Sequence, residues 1–188
     1  VGKKHFYDFF VPEEKEKLKS IAFDVFLKRN IFRNYENINI HKNGNHVILS
    51  TSGSPIFNDH GILKGYRGVD EDITDRKRAE EKLKLLNRAV EASNVSVMIT
   101  DSDGKIIYTN PFFTELTGYP IEEAVGKSPR ILNSGNQSRK FYKELWDTIL
   151  SGKDWTGEFR NKKKNGELYW ESAIISPILD KNGAVSNF

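Results

Sequence analysis

Trp155, Asn161 and Glu171 combine a stacking surface, an amide that both donates and accepts, and a carboxylate, all within Asp154–Pro177. That stretch reads as two strands joined at Asn165-Gly166, a dipeptide suited to the positive φ angles of a two-residue hairpin turn. With a period of two, Trp155, Gly157, Phe159 and Asn161 share one face of the first strand, and Tyr169, Glu171, Ala173 and Ile175 share one face of the second. If both faces point inward, they line either a ligand pocket or a core whose polar groups satisfy one another. An inward Glu171 without a partner would cost about several kcal/mol, so Arg160, a lysine or a ligand has to meet it.

The elements that carry these residues come from a repeat. Val1-Gly-Lys recurs at Val125, Lys42-Asn-Gly at Lys164 and Ser54-Pro-Ile at Ser176, with an offset of 124 that shortens to 122. A unit of about 120 residues is too long for a solenoid and suits a tandem domain. Nothing precedes Val1 to match residues 89–124, and the second copy stops at Phe188 before a counterpart of residues 67–74. The expectation is a first copy without its opening strands, a second copy without its last strand, and a chain that is a piece of a longer polypeptide.

In the first copy Pro12-Glu13-Glu14 predicts a helix start, and Leu18, Ile21, Ala22, Val25 and Phe26 follow helical spacing. Strands are predicted at Tyr35–Ile40, Val47–Pro55 and Ile62–Asp70. In the second, Val97–Thr100 and Ile106–Thr109 flank Asp103-Gly104 as a hairpin, and Asn110-Pro111 opens a helix that Gly118 ends. A further helix runs from Ser138 to Gly152. Between the copies, ITDRKRAEEKLKLLNRAV lacks Gly and Pro and sets Ala79, Leu83, Leu86 and Val90 at 4-3-4 spacing. That seam fits either pairing with a second chain or packing on its own domain.

These motifs, YTNPFFTELTGYPIEEAVGK (108–127), KNGELYWESAIISPILDKNG (164–183) and DEDITDRKRAEEKL (70–83), resemble the PAS/PAC sensor family. The resemblance implies an α+β fold: two PAS domains, each a five-stranded antiparallel sheet with helices over one face. Their expected extents are 1–74 for the truncated first domain, 75–90 for a coiled-coil-like linker helix and 91–188 for the second. It also implies a sensory relay in signal transduction, attached to an output domain such as a histidine kinase or a diguanylate cyclase. Asp72 and Thr74 would anchor the exit from the first sheet, with Leu83 and Leu86 passing the signal along a homodimeric helix pair.

The second copy is similar to the flavin-binding branch, light-oxygen-voltage and FAD-containing redox domains. Gly126-Lys-Ser-Pro-Arg-Ile-Leu-Asn133 parallels the light-sensing segment, with Pro129 at the position of the photoreactive cysteine. Without a thiol no flavin–cysteine adduct can form. Trp155-x-Gly-Glu and Asn161-x-x-Lys-Asn-Gly fit the redox branch better, which admits FAD in this copy. By that resemblance Asn161 hydrogen-bonds the isoalloxazine edge, Trp155 packs near the ring or its tail, Arg130 and Asn133 face the phosphates, and Glu171 stands where the light sensors carry a second Asn. At the 122 offset Asn39 matches Asn161, Arg33 replaces Trp155 and Leu49 replaces Glu171, so the two pockets should differ.

Composition narrows the alternatives. All four histidines (His5, His41, His46, His60) lie in the first copy, so the second has no axial ligand for haem, and no metal site is expected. The absence of cysteine fits a reducing compartment, and so a cytoplasmic protein, and no run of residues is long and apolar enough to span a membrane. A net charge of +3 and the turn-borne Lys162-Lys163-Lys164 do not call for nucleic acid. No phosphate-binding loop or nucleophile elbow is present, so any enzymatic output is expected outside this chain. A ligand-free dimerisation module and a flavoprotein oxidoreductase stand as rival functions.

Overall fold

Alternating and helical apolar patterns fold into two units, one up to Lys84 and one from Leu85, in a computed structural model that describes residues 5–188. The Val1-Gly-Lys end of the repeat lies outside the described residues.

The first unit has a 3-10 turn at Phe6–Phe9, helix α1 (Lys15–Leu27) and strands β1 (Phe32–Ile40), β2 (His46–Phe57) and β3 (Leu63–Asp72). The strands form an antiparallel meander in the order β1-β2-β3. Helix α1 starts at Lys15, not at Pro12, because Pro12–Glu14 is taken up by a turn that Glu14 N closes on Val11 O. The residues at the predicted helical spacing are all buried or half-buried, with Leu18 deepest. Tyr66 on β3 donates its hydroxyl to Val25 O (3.1 Å) and Asn30 O (3.2 Å), tying the helix end to the sheet.

Helix α2 (Thr74–Glu91) follows β3 directly. Ile48 N donates to Thr74 Oγ1 (2.8 Å), while Thr74 donates through both its N–H and its hydroxyl to Asp72 Oδ1. Ile73 is buried and its N–H bonds Ile48 O. Along the rest of α2 most apolar side chains are uncovered: Ala79 is exposed, as are Leu83 (63%) and Leu86 (53%), while Val90 at the end of the seam is half-buried.

The second unit continues with β4 (Met98–Thr100), β5 (Ile106–Thr109), α3 (Pro111–Thr117), α4 (Ile121–Ala124), a 3-10 turn at Pro129–Leu132, α5 (Arg139–Leu150), β6 (Trp155–Lys162), β7 (Leu168–Ile175), β8 (Ile178–Leu179) and β9 (Val185–Asn187). Ladders join β4 to β5, β6 to β7 and β8 to β9. Thr100 and Phe188 exchange both backbone hydrogen bonds, which links β4 to the end of β9. Pro177 has no N–H to give and separates β7 from β8, so the pairings form two sets, β5–β4–β9–β8 and β6–β7. Where the second copy was expected to lack its last strand, β9 is present and pairs with β8.

Five hairpin connections share one loop design, and it is not the predicted two-residue turn. Between Lys162 and Leu168 five residues intervene: Gly166 N bonds Lys163 O, Lys163 N bonds Glu167 O, and Gly166 alone takes a positive φ (91°). This is a type I turn closed by a left-handed glycine, which reverses the chain without splaying the strands. The same pair of bonds recurs around Gly44, Gly61, Gly104 and Gly183.

Asn110 is the most connected side chain of the second unit and is fully buried. Its Oδ1 accepts from Val97 N (2.9 Å) and caps α3 at Phe113 N, while its Nδ2 donates to Val95 O and to Val90 O near the end of α2. One amide thus binds α2, the entry to β4 and α3 together. Among the described residues no helix is long and apolar enough to cross a membrane.

Two outcomes follow. Asn110→Ala strands several buried backbone groups and should lower the stability of the second unit by about 2–4 kcal/mol in urea unfolding; a loss below about 0.5 kcal/mol would contradict the packing described. The Thr74 hydroxyl, and then its N–H, hold the Asp72 carboxyl below the usual carboxylate range. A depressed folded value contributes stability above about pH 4 that is lost as pH falls further, so Asp72→Asn should flatten part of the acid limb of first-unit unfolding. Parallel acid limbs in the two proteins would contradict this.

Candidate functional site

The eight-rung β6–β7 ladder fixes which side chains meet. Phe159 stands opposite Glu171 and Asn161 opposite Tyr169, all on the inward face. Asn161 is 7% exposed and donates from Nδ2 to Glu171 Oε2 (2.8 Å); the Tyr169 hydroxyl reaches the same oxygen at 3.4 Å. Burial, and then the charge of Glu171, push the Tyr169 phenol far above its ordinary value, which keeps it a donor. Arg160, one of the three partners considered for Glu171, points to the other face of the sheet and lies over the Trp170 ring at 5.9 Å. The carboxylate is therefore met by an amide and a phenol, with no cation within ion-pair distance among the described residues.

Glu171 and Asn161 line a cavity of about 860 Å³. It separates the two apolar clusters of the unit, Ile106, Phe113, Ala124 and Leu132 on one side and Leu145, Ile149 and Trp155 on the other. Phe113, Leu132, Leu145 and Phe159 give it apolar walls. The predicted Arg130 and Asn133 line it too, carried by the 3-10 turn that Ser128 caps and that an isolated bridge from Asn133 to Asn161 docks on β6.

Trp155 does not reach the cavity. Its ring lies on the backbone of Gly157, where a Cβ would come within 2.3 Å of it, and packs edge-on to Phe141 at 5.3 Å. Phe159 takes its place at the wall. Sequence reasoning missed Arg139 and Trp146 of α5, which face the cavity together with Tyr142 and Lys143; the 3-4 spacing of Arg139, Tyr142, Trp146 and Ile149 was the available signal. The cavity's cations, Arg130, Arg139 and Lys143, lie on the helical side, and only Lys143 has an acidic partner, Asp147. The lysine run is likewise spent locally, with Lys163 on Glu167 and Lys164 on Glu123.

The first unit arranges the equivalent rungs differently. A bulge between Phe32 and Tyr35, with Asn34 at φ 52°, shifts the register so that Phe32 stands opposite Gly53, the counterpart of Ile175. The residue at the ladder position of Trp155 is thus Phe32, not the Arg33 that the constant offset gives. Asn39 donates to Asn37, its neighbour on the same strand, and Asn37 in turn donates to Thr51 Oγ1 (2.9 Å). Asn37 and Leu49 hold the positions of Phe159 and Glu171, so the polar residue has changed strands.

Residues 84–188 match the PAS fold family and residues 1–75 match a PAS domain family. A nitrogen fixation regulatory protein of Klebsiella oxytoca is 34% identical over 99 residues, 53% of this chain and 20% of the relative. A blue-light-activated histidine kinase of Brucella canis is 30% identical over 125 residues, 65% of this chain and 24% of the relative. The chain thus spans about a fifth to a quarter of the length of such relatives. An RNA-binding light-oxygen-voltage receptor shares the fold at TM-score 0.51 and 12% identity, over 96% of this chain and 82% of that one. Regulatory and sensor proteins recur among these relatives. With both halves matched, the chain belongs to the PAS family.

Proposed function

We propose that the second unit is the ligand-sensing half, that its ligand is a flavin of the FAD type, and that helix α2 pairs with its counterpart in a second copy of the chain to carry the signal. The observation that supports the ligand most is the cavity itself. It falls within the about 300–1,000 Å³ typical of small-molecule sites, with apolar walls and few polar groups. Those polar groups are segregated: Asn161 and Glu171 on the sheet suit the hydrogen-bonding edge of a planar ring, and the cations on the helical side suit phosphates. A flavin would supply reversible redox chemistry. Asn161 and Glu171 would orient the ring edge, Phe159 would exclude water from its face, and Arg130 and Arg139 would hold the anionic tail.

Pairing through α2 rests on the uncovered seam of Ala79, Leu83 and Leu86, whose spacing complements a parallel copy of itself. The Asp72–Thr74 latch at the start of α2 and the Asn110 clamp near its end fix both ends of that helix to sheet structure. A rotation of the pair would therefore be felt at both latches, since packed interfaces switch between discrete arrangements. The output, a histidine kinase or diguanylate cyclase, would belong to the longer protein, and the whole would be cytoplasmic. A ligand-free interaction module is the second reading, favoured by one observation: Asn161 and Tyr169 already satisfy one oxygen of Glu171.

Absorption of the purified full-length protein after reconstitution with FAD separates the two. Bands near about 370 and 450 nm that stay with the protein through gel filtration are expected; colourless protein would overturn the flavin assignment. Independently, Leu83→Asp with Leu86→Asp should raise the dimer dissociation constant by at least about tenfold in sedimentation equilibrium, without emptying the cavity. Unchanged association would overturn pairing through α2.

A further inference from the structure

Glu171 has two carboxylate oxygens, and the protein serves one of them. Oε2 receives both Asn161 Nδ2 and the Tyr169 hydroxyl, while Oε1 has no donor among the described residues, in a side chain that lines the cavity. The donors left for a ligand at this end can therefore be counted. Asn161 has two N–H groups and has given one to Glu171; Tyr169 has one O–H, already directed at Oε2. Because the Asn161 amide also hydrogen-bonds the Tyr169 oxygen, one N–H is the most that remains, beside two acceptors, Asn161 Oδ1 and Glu171 Oε1.

A flavin imide edge carries one N–H between two carbonyls and so asks for one acceptor and two donors. The sheet end of the cavity is one donor short. An ionised Glu171 would also set its negative Oε1 against a carbonyl oxygen of the ring, an unfavourable contact in an apolar enclosure. A carboxylic acid, in contrast, offers one O–H donor and one acceptor, the same pattern as a side-chain amide.

We propose that Glu171 takes up one proton when the second unit binds a flavin, and holds the imide edge as a neutral carboxylic acid. The inference rests on the flavin reading above and adds to it a proton that accompanies binding. The groups that could compete for the effect are few. On β7, Tyr169 is held protonated by burial, and on β6 the inward residues beside Glu171 are Phe159 and Asn161. From the helical side come Arg130, Arg139, Lys143 and Tyr142, whose charges do not change near neutral pH; β4 contributes Met98, Ile99 and Thr100, which carry none. No histidine lies in the second unit, and among the residues lining the cavity Glu171 is the one carboxyl.

The experiment titrates the full-length protein with FAD at a series of pH values and counts protons by calorimetry in buffers of different ionisation enthalpy. Uptake of about one proton per FAD is expected, with Kd rising as pH rises. Glu171→Gln carries the amide permanently, and should bind FAD with a flat pH profile and more tightly than the parent at pH 8. FAD binding without proton uptake, or a Glu171→Gln variant that keeps the parental slope, would overturn the inference and leave the flavin reading standing. Failure of both proteins to bind FAD at any pH would overturn both. If Glu171→Gln does not fold, the proton count on the parent protein decides alone.

Discussion

A carboxylate on the inward face of an antiparallel ladder has to be hydrogen-bonded where it stands, and in the second unit Asn161 performs that task for Glu171. The interaction depends on register. Eight uninterrupted rungs from Trp155↔Ile175 to Lys162↔Leu168 put the amide two rungs from the acid, on the same face. A slip of β7 by one residue would turn Glu171 to solvent, away from Asn161, and bring Trp170 inside. The five-residue loop closed by Gly166 helps to hold that register, and Asn133 docks the helical cover against Asn161. The cavity exists because these devices keep the two apolar clusters apart with a polar pair at its end.

The first unit shows what the same scaffold becomes when the pair is rearranged. Its asparagines satisfy each other along one strand, with Thr51 as an outlet, and Leu49 occupies the position of the acid. An aromatic on a glycine persists in both units, Phe32 against Gly53 and Trp155 against Gly157, because a ring laid on bare backbone closes the end of the ladder. Aromatic and glycine are therefore scaffold, and the placement of the polar residues is what differs.

Much of this was legible in the sequence. The repeat, the strand pairs, the start of α3 at Asn110 and the inward faces of β6 and β7 follow from periodicity and capping chemistry, which are local. The family resemblance added the antiparallel sheets with helices over one face and the anchoring of the first sheet's exit by Asp72 and Thr74. What escaped was set by geometry beyond the local pattern. The bulge after Phe32 adds a residue that a constant offset cannot see, so Arg33 was matched where Phe32 stands. Trp155 had the right face but is turned onto Gly157, and Arg160, one of the partners considered for Glu171, lies on the other face of the sheet. Arg139 and Trp146 belong to a helix whose packing against the sheet is tertiary, and only its amphipathic spacing hinted at them.

The central claim is that the Asn161–Glu171 pair is the recognition end of a ligand cavity and not a sealed piece of core. The side-chain amide resonances of Asn161, observed by nitrogen-edited NMR during titration with FAD, test it most directly. The account predicts that both amide protons shift and saturate together with FAD binding, because the free N–H acquires a partner while the other stays on Glu171. Asn161 resonances that remain unmoved at FAD concentrations saturating the protein would contradict it.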